Sequence, residues 1–249
     1  MTNITIIGYG TMGKAIAKQL SKDSKINIFT IDINKKNTTG IKKSDFIILA
    51  VKPQDGSTVI EQLKSYGINK KTILISIMAG FSIKKILNLS EHKKIIRMMP
   101  NLGLSAGEGI AVWKKTGLSP LETKKSKNFI NKITENFEVQ NEDTINKVTA
   151  ISGSGPAYFF LLADCLVKTS QSLGFTKNES QKLVEKTFLA SAKLGQNSDY
   201  SSLIEKIASK GGTTESALKV FKNENFTKIV SEAVISAYKK AKELESITN

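Results

Sequence analysis

The segment Ile4-Thr5-Ile6-Ile7-Gly8-Tyr9-Gly10-Thr11-Met12-Gly13 sets the fold class of this chain. A short strand-type run leads into a Gly-x-Gly-x-x-Gly turn, and a helical pattern follows over 14–20. In such units the first glycine permits the tight turn, the second admits a pyrophosphate, and the third lets the helix pack on the sheet. A glycine-rich turn without a ligand is the alternative. We expect a dinucleotide phosphate to bind at Gly8, Tyr9, Gly10, Thr11, Met12 and Gly13.

Strands and helices alternate after this unit. Strand-type runs occur at 26–31, 46–51, 72–79, 95–99 and 109–113, and helical patterns at 58–66, 82–87 and 120–133. Ser119-Pro120-Leu121-Glu122 has the pattern of a capping box at the start of the last of these helices. Alternation of this kind indicates a doubly wound parallel sheet with helices on both faces.

Beyond residue 146 the strand patterns end. Helices are predicted at 156–173, 176–194, 202–209, 214–222 and 226–244, and Thr176 to Glu179 is a second capping box. The sequence therefore predicts an α/β protein with two domains. Residues 1–147 would form a Rossmann-type dinucleotide-binding domain with a doubly wound parallel sheet, and residues 148–249 an all-α domain.

Composition narrows the function classes. The net charge is +15, but Arg97 is the only arginine and the lysines are spread along the chain, so we do not expect a nucleic-acid partner. The N-terminus lacks a targeting pattern, and no uninterrupted apolar run approaches the roughly 18 residues of a membrane span. With one Cys165 and one His92, no disulfide framework and no metal site are expected. We expect a cytoplasmic protein in which His92 lies on the surface.

The end of the second predicted strand bears on coenzyme choice. Asp32 is close to the position of a carboxylate that binds the ribose 2′-hydroxyl, which favours NADH. Lys35 and Lys36 could instead neutralise the 2′-phosphate of NADPH, and a polar turn aspartate is a third interpretation. The choice between NADPH and NADH stays open at this stage.

Other coenzyme contacts are predicted at the carboxyl ends of further strands, because ligands of doubly wound sheets lie along that edge. Ala50-Val51-Lys52-Pro53 follows the third strand, Gly80 follows the fourth, and Asn101 follows the strand that contains Arg97. Pro53 would fix the direction of its loop. Lys52, taken alone, is more typical of a surface lysine.

Two small-residue segments precede helices in the second half of the chain. The first is Ser152-Gly153-Ser154-Gly155-Pro156-Ala157-Tyr158, and the second is Ser209-Lys210-Gly211-Gly212-Thr213-Thr214. Glycines and hydroxyl residues at a helix N-terminus can bind an anion such as a substrate carboxylate. Ordinary helix caps explain both segments nearly as well.

Taken together and in this order, these segments resemble pyrroline-5-carboxylate reductases. The resemblance implies reduction of 1-pyrroline-5-carboxylate to L-proline with NADPH or NADH, the last step of proline biosynthesis. It also implies a homodimer through the C-terminal helices, often assembled into a decamer. Thr214 would act catalytically by hydrogen bonding the ring nitrogen. The substrate-binding residues implied are Ser152, Ser154, Ser209, Gly211, Gly212, Thr213 and Thr214.

Three departures from the family pattern stand out. The 32–45 segment is short for the helix and strand that the family has there, Leu102-Gly103 replaces a Thr-Pro pair, and Lys210 replaces a proline. No catalytic histidine is evident, but a protonated imine accepts hydride without one.

Alternatives are a related dehydrogenase acting on a hydroxy acid, with Lys168 as acid/base, and a catalytically silent dinucleotide-binding regulator. A basic nucleic-acid-binding protein is a third.

Overall fold

The computed structural model describes residues 1–31 and 40–248. Within them a seven-stranded sheet has the order β2-β1-β3-β4-β5-β6-β7. The strands are β1 (Thr2–Ile7), β2 (Ile26–Ile31), β3 (Phe46–Leu49), β4 (Ile73–Ser76), β5 (Ile95–Pro100), β6 (Ile110–Thr116) and β7 (Glu135–Glu138). Strands β1 to β5 are parallel, as predicted.

The sheet departs from the prediction at one edge. β6 runs antiparallel to β5, and β7 pairs in parallel with β6. β7 was not predicted, because its sequence Glu135-Asn136-Phe137-Glu138 lacks an apolar run. An edge strand that is half exposed needs few apolar residues, so pairing with β6 rather than its own pattern makes it a strand.

Helices cover both faces of the sheet in the first part of the chain. They are α1 (Thr11–Leu20), α2 (Gly56–Tyr66), α3 (Ile83–Ser90), α4 (Pro120–Ile130) and α5 (Asp143–Val148). The capping box between Ser119 and Glu122 is present at the start of α4. α5 was not predicted, and it leads into a π-helical turn, Thr149–Gly153.

The second part of the chain is helical, as predicted. Its helices are α6 (Gly155–Ser172), α7 (Lys177–Leu194), α8 (Tyr200–Ile207), α9 (Thr213–Asn223) and α10 (Phe226–Thr248). Thr176 and Glu179 form the predicted capping box of α7. Local capping signals therefore located the helix starts correctly.

Alternate residues of the central strands fill two apolar layers. On one face Ile4 and Ile6 pack with Ile16 of α1, and Phe46 stacks on Phe129 with ring centroids 4.2 Å apart. The opposite face is covered by α2 and α3 and includes Ile7, Leu49, Ile60, Leu63, Phe81 and Ile86. Burial on both faces is typical of a doubly wound sheet, and it leaves the strand ends as the places where a ligand can approach.

A buried ionic cluster joins distant parts of the chain. Arg97 on β5 is fully buried, and its Nη1 donates to Glu142 and Glu245, each at 2.8 Å. Its Nη2 donates to Asn146 Oδ1 at 2.8 Å. Burying an arginine is tolerated only with such partners. Glu245 lies on α10, so the end of that helix packs with the sheet.

The chain divides into two compact units. Unit 1 comprises residues 1–156 and 236–249, and unit 2 comprises residues 157–235. The end of α10 therefore belongs with the sheet, whereas its beginning belongs with the other helices. The boundary at residues 147 and 148 remains a prediction about sequence domains.

Unit 2 exposes much apolar surface in the isolated chain. On α6, Phe159, Phe160 and Leu161 are 58%, 60% and 65% exposed. By length and composition alone, the helical stretch 143–172 could cross a membrane, with a mean hydropathy of 1.4 and 11% of its apolar window buried. The expectation from uninterrupted apolar runs did not identify it, because polar residues interrupt the run. Such a surface needs a cover.

His92 corrects one expectation. Its side chain is buried rather than on the surface, with Nε2 2.7 Å from the carbonyl oxygen of Thr72. Its backbone amide donates to Ser90 Oγ at 3.1 Å. Burial lowers the pKa of the imidazole, so the neutral form is favoured. The contact with Thr72 places His92 in the packed interior of the fold rather than on its surface.

Candidate functional site

The turn after β1 requires glycine at two positions. Gly8 has a φ of +94°, and a Cβ there would lie 2.6 Å from the carbonyl oxygen of Ala50 and 2.8 Å from Val51 Cγ1. A Cβ on Gly13 would overlap the carbonyl oxygen of Gly8. The turn therefore closes against both β3 and α1, and side chains at these positions would force them apart.

Gly10 has a different role. A Cβ added there would meet no atom within 4 Å, and its φ of −75° suits any residue. Gly10 is the N-cap of α1 and, lacking a side chain, makes no capping hydrogen bond. It is exposed, as are Tyr9 and Thr11. The first amides of α1 are thus left for an outside acceptor, as a pyrophosphate requires.

Met12, by contrast, is half buried and packs against the core on the α1 face. Its side chain therefore fixes the turn to the core, while Tyr9, Gly10 and Thr11 are exposed to solvent.

The segment Ala50-Val51-Lys52-Pro53 lies directly beside this turn, because β1 and β3 are neighbours in the sheet. Ala50 is half buried, Lys52 is exposed, and Pro53 begins a 3₁₀ turn, Pro53–Asp55, which leads into α2. The structure therefore brings the first two predicted coenzyme segments together.

Gly80 and Asn101 are more constrained than the sequence suggested. Gly80 is buried with a φ of +75°, and a Cβ there would lie 3.0 Å from the carbonyl carbon of Leu244 on α10. Asn101 Nδ2 donates to Ser152 Oγ at 3.1 Å, and its Oδ1 accepts from the amide of Ile110 at 3.2 Å. Asn101 thus ties one predicted coenzyme position to one predicted substrate position.

The turn that contains Gly103 has no room for a side chain at that position. A Cβ on Gly103 would lie 2.6 Å from the carbonyl oxygen of Glu108, so a larger residue would open this turn. The turn is held under α1 by Gln19, whose Nε2 donates to the carbonyl oxygen of Leu104 at 2.9 Å. Leu104 is 1% exposed. Gly103 therefore lies in a tight, closed turn directly after Asn101.

Ser152 and Ser154 lie where the π-helical turn Thr149–Gly153 meets α6, and both are half buried. The amide of Ser154 donates to the carbonyl oxygen of Thr149 at 2.9 Å. Wide turns of this kind occur frequently at functional sites.

The segment 209–214, predicted to bind an anion, has a carboxylate of the chain itself at one of its amides. Gly211 has a φ of +75°, and its amide donates to Glu215 Oε2 at 2.7 Å. A Cβ on Gly212 would lie 2.7 Å from Ser209 Oγ, so the turn is tight at that position. Glu215 was not among the predicted site residues, although an acidic residue in a first helical turn is a usual signal.

Thr213 is exposed at the start of α9, and Thr214 is half buried. The segment 209–214 lies in unit 2 and the coenzyme-type turn in unit 1, so their juxtaposition remains a prediction. Asp32, Lys35 and Lys36 lie outside the described residues.

Two family models match the chain. Residues 3–80 match a model described as NADP oxidoreductase coenzyme F420-dependent, and residues 142–244 match one described as pyrroline-5-carboxylate reductase dimerisation. A pyrroline-5-carboxylate reductase of Aquifex aeolicus is 32% identical over 261 residues, covering 97% of each chain. This chain belongs to the pyrroline-5-carboxylate reductase family.

Solved structures agree with this membership. The pyrroline carboxylate reductase of Plasmodium falciparum, solved with NADP bound, is 29% identical with a TM-score of 0.86, over 98% of each chain. The Coxiella burnetii pyrroline-5-carboxylate reductase is 28% identical with a TM-score of 0.83, also over 98% of each chain. The reductase family's two-part plan, a mostly parallel sheet domain followed by a helical dimerisation region, is therefore present throughout this chain.

The contrast between Gly10 and Gly13 generates a test. Gly10→Ala should keep the thermal unfolding midpoint close to that of the wild type, because its Cβ meets open space. It should weaken NADPH binding by about tenfold or more, since one methyl group then stands where the pyrophosphate approaches. Calorimetric titration with NADPH, alongside a thermal melt, measures both quantities.

Gly13→Ala is the matched control. Its Cβ overlaps the Gly8 carbonyl, so it should lower the unfolding midpoint. Unchanged NADPH binding by Gly10→Ala would remove this turn from the coenzyme site.

Proposed function

We propose that this protein reduces 1-pyrroline-5-carboxylate to L-proline with NADPH or NADH, as the last step of proline biosynthesis. The observation that carries the proposal is the match to the pyrroline-5-carboxylate reductase of Aquifex aeolicus over 97% of both chains. The open N-terminus of α1 and the retained Thr214 support it. The protein is then an oxidoreductase acting on a C=N bond.

The coenzyme would lie along the carboxyl edge of the parallel strands. The amides at Gly10 and Thr11 would bind the pyrophosphate, because the N-cap leaves them without an internal acceptor. The bound coenzyme supplies the hydride. The proposed contacts are Gly8, Tyr9, Gly10, Thr11, Met12, Gly13, Asp32, Ala50, Val51, Lys52, Pro53, Gly80 and Asn101.

The substrate would be held by its carboxylate and its ring nitrogen. The amides at the start of α9, and that of Gly211 once it is released from Glu215, would bind the carboxylate, and the Thr214 hydroxyl would hydrogen bond the nitrogen. Half burial of Thr214 reduces competition from water for that bond. Ser152, Ser154, Ser209, Gly212 and Thr213 complete the proposed substrate site.

Acid/base catalysis by a side chain is unnecessary in this reaction, because a protonated imine accepts hydride directly. The hydroxy-acid alternative depends on Lys168. Its Nζ lies 2.6 Å from Asp164 Oδ2, and that carboxylate raises the pKa of the lysine. A general acid/base needs a pKa shifted the other way, toward neutrality, so this observation disfavours the alternative.

The chain carries the family's dimerisation region at residues 142–244. The exposed apolar residues of α6 lie within it, and a second copy of the chain would bury them as a self-complementary interface. We therefore include a cytoplasmic homodimer in the proposal, with further assembly to a homodecamer. The sequence domains proposed remain 1–147 for the dinucleotide and 148–249 for substrate and dimerisation.

The assembly can be tested by sedimentation velocity. The wild type should sediment with a mass of at least twice that of the 27.2 kDa chain, and the Leu161→Glu variant should sediment with a mass closer to that of the monomer. Leu161 is 65% exposed in the isolated chain and lies on α6. Leu121→Glu is the control, because Leu121 is 77% exposed on α4, outside the dimerisation region. A monomeric wild type would refute the dimer.

The activity test follows oxidation of NADPH and NADH separately, with 1-pyrroline-5-carboxylate as substrate. The wild type should oxidise at least one of them in a substrate-dependent way. Thr214→Val should lower kcat about 10- to 100-fold, the effect of losing one hydrogen bond to a charged group. NADPH affinity should stay the same, because Thr214 is assigned to the substrate.

Thr214→Ser is the control, since it keeps the hydroxyl and should restore most of the turnover. Wild-type enzyme that oxidises neither coenzyme would refute the function, and a fully active Thr214→Val would remove only Thr214 from the mechanism.

The Glu215 contact leads to a separate expectation for substrate affinity. Its carboxylate accepts a hydrogen bond from the Gly211 amide. The same negative charge would repel an incoming substrate carboxylate. Glu215→Gln removes that charge and should lower the KM for the substrate about two- to fivefold, in the range of one screened surface charge. Glu224→Gln changes the same charge just beyond the other end of α9 and should leave the KM unchanged. An increased KM in Glu215→Gln would instead assign Glu215 to substrate binding.

A further inference from the structure

The end of α10 lies against the loop that joins β4 to α3. Gly80 is in this loop, and a Cβ added there would lie 2.9 Å from Leu244 Cβ and 3.0 Å from the Leu244 carbonyl carbon. At such close packing, a shift of the helix toward the loop must displace Gly80. Because Gly80 is one of the proposed coenzyme contacts, a residue that fixes the end of α10 also fixes part of that site.

Glu245, next to Leu244 on α10, is bound by two buried side chains. Its Oε1 accepts from Arg97 Nη1 at 2.8 Å, and its Oε2 accepts from Asn146 Nδ2. Asn146 Oδ1 accepts in turn from Arg97 Nη2 at 2.8 Å, which closes a cycle of hydrogen bonds. We call Arg97, Asn146 and Glu245 the Arg97 network. Arg97 and Asn146 are both buried, so water has little access to replace a lost bond.

The same guanidinium also holds the two ends of the loop. Glu142 Oε1 accepts from Arg97 Nη1 and from the backbone amide of Ile83, each at 2.8 Å. Ile83 is the first residue of α3, so this carboxylate binds the point at which the loop becomes a helix. At the other end, Ser76 is the last residue of β4 and is the sheet partner of Arg97. The loop is therefore supported at its start, at Gly80 and at its end by elements that meet at Arg97.

The order of the strands determines which part of the coenzyme this loop would contact. In dinucleotide-binding sheets the pyrophosphate lies at the turn after the first strand, and the adenosine ribose lies at the end of the second. In this sheet β2 and β4 lie on opposite sides of β1. The nicotinamide half of the coenzyme would therefore extend toward β3 and β4, where Gly80 lies.

We propose that Glu245 is a positioning residue for the nicotinamide half of the coenzyme. Through the Arg97 network it holds α10 against Gly80, and it acts on the coenzyme through Leu244 and Gly80 rather than by touching it. This inference rests on the proposed function, since it deepens the coenzyme part of that site. A network that merely stabilised the domain would affect every part of the coenzyme equally, whereas a positioning role affects the nicotinamide half alone.

The experiment breaks the contact between Glu245 and Asn146 from either side. Glu245→Gln places an amide nitrogen where two donors then face each other, and Asn146→Asp places a second carboxylate opposite that of Glu245. The double variant Glu245→Gln/Asn146→Asp again has a donor opposite an acceptor and keeps the total charge of the wild type. Glu243→Gln is the control, because Glu243 pairs with Lys240 on the exposed side of the same helix.

Calorimetric titration compares each coenzyme with the fragment that lacks nicotinamide, NADPH with 2′-phospho-ADP-ribose and NADH with ADP-ribose. Each single variant should bind the coenzyme that the wild type prefers about tenfold more weakly, the effect of losing one charge-assisted hydrogen bond. Binding of the matching fragment should change less than about twofold, because its contacts lie at β1 and β2. The double variant and Glu243→Gln should bind coenzyme and fragment as the wild type does.

A thermal melt of each variant shows whether it is folded. If Glu245→Gln does not fold, Asn146→Asp gives the same comparison. Equal losses for coenzyme and fragment would show that the network only stabilises the domain, and would overturn the proposal. Single variants that bind both ligands as the wild type does would also overturn it, as would a double variant that binds the coenzyme as weakly as the single variants.

Turnover separates this claim from the proposed function. A wild type that binds a coenzyme but does not reduce 1-pyrroline-5-carboxylate would refute the reaction, and a nicotinamide-specific loss in the single variants would still support the role of Glu245. A wild type that reduces the substrate, with single variants that bind the coenzyme normally, would refute only the role of Glu245. A wild type that binds neither coenzyme would overturn both.

Discussion

The overlap that any side chain at Gly13 would make with the carbonyl oxygen of Gly8 is the constraint on which the rest depends. Only with glycine at both positions does the chain leave β1, contact Ala50 and enter α1 within one turn. That geometry leaves the amides at Gly10 without an internal acceptor, beside the segment that follows β3. The proposed coenzyme site is therefore a by-product of how tightly the sheet and its first helix join.

The parts of the fold that could be predicted are those encoded locally. Short continuous apolar runs located β1 to β5, and the Ser119 and Thr176 capping boxes located two helix starts. The antiparallel direction of β6 and the existence of β7 could not be read in this way. They depend on which neighbour a strand pairs with, and the polar sequence of β7 has no pattern of its own.

The candidate site divides similarly. The tight turn at Gly8 and the close packing at Gly13 follow from backbone geometry, so a short motif was enough to predict them. The bond from Asn101 to Ser152 joins residues 51 positions apart, and no local pattern contains it. The buried side chain of His92 likewise contacts the carbonyl of Thr72, 20 positions away. The polar residues around His92 in the sequence therefore predicted, wrongly, that it lies on the surface. The contact between Glu215 and the Gly211 amide depends on the direction of the Glu215 side chain, which the sequence does not specify.

The pairing of Arg97 with both Glu142 and Glu245 has a consequence for biosynthesis of the chain. The two carboxylates are 45 and 148 positions further on, so the ribosome delivers them at different times. At about 5–20 residues per second, the second arrives roughly 7–30 s after the arginine. During that interval translation has produced every strand of the described sheet and Glu142, whose carboxylate already balances the charge of Arg97, but not Glu245. Until the helical segment is complete, Arg97 Nη1 therefore lacks its second acceptor and Asn146 lacks the Glu245 carboxylate that it donates to.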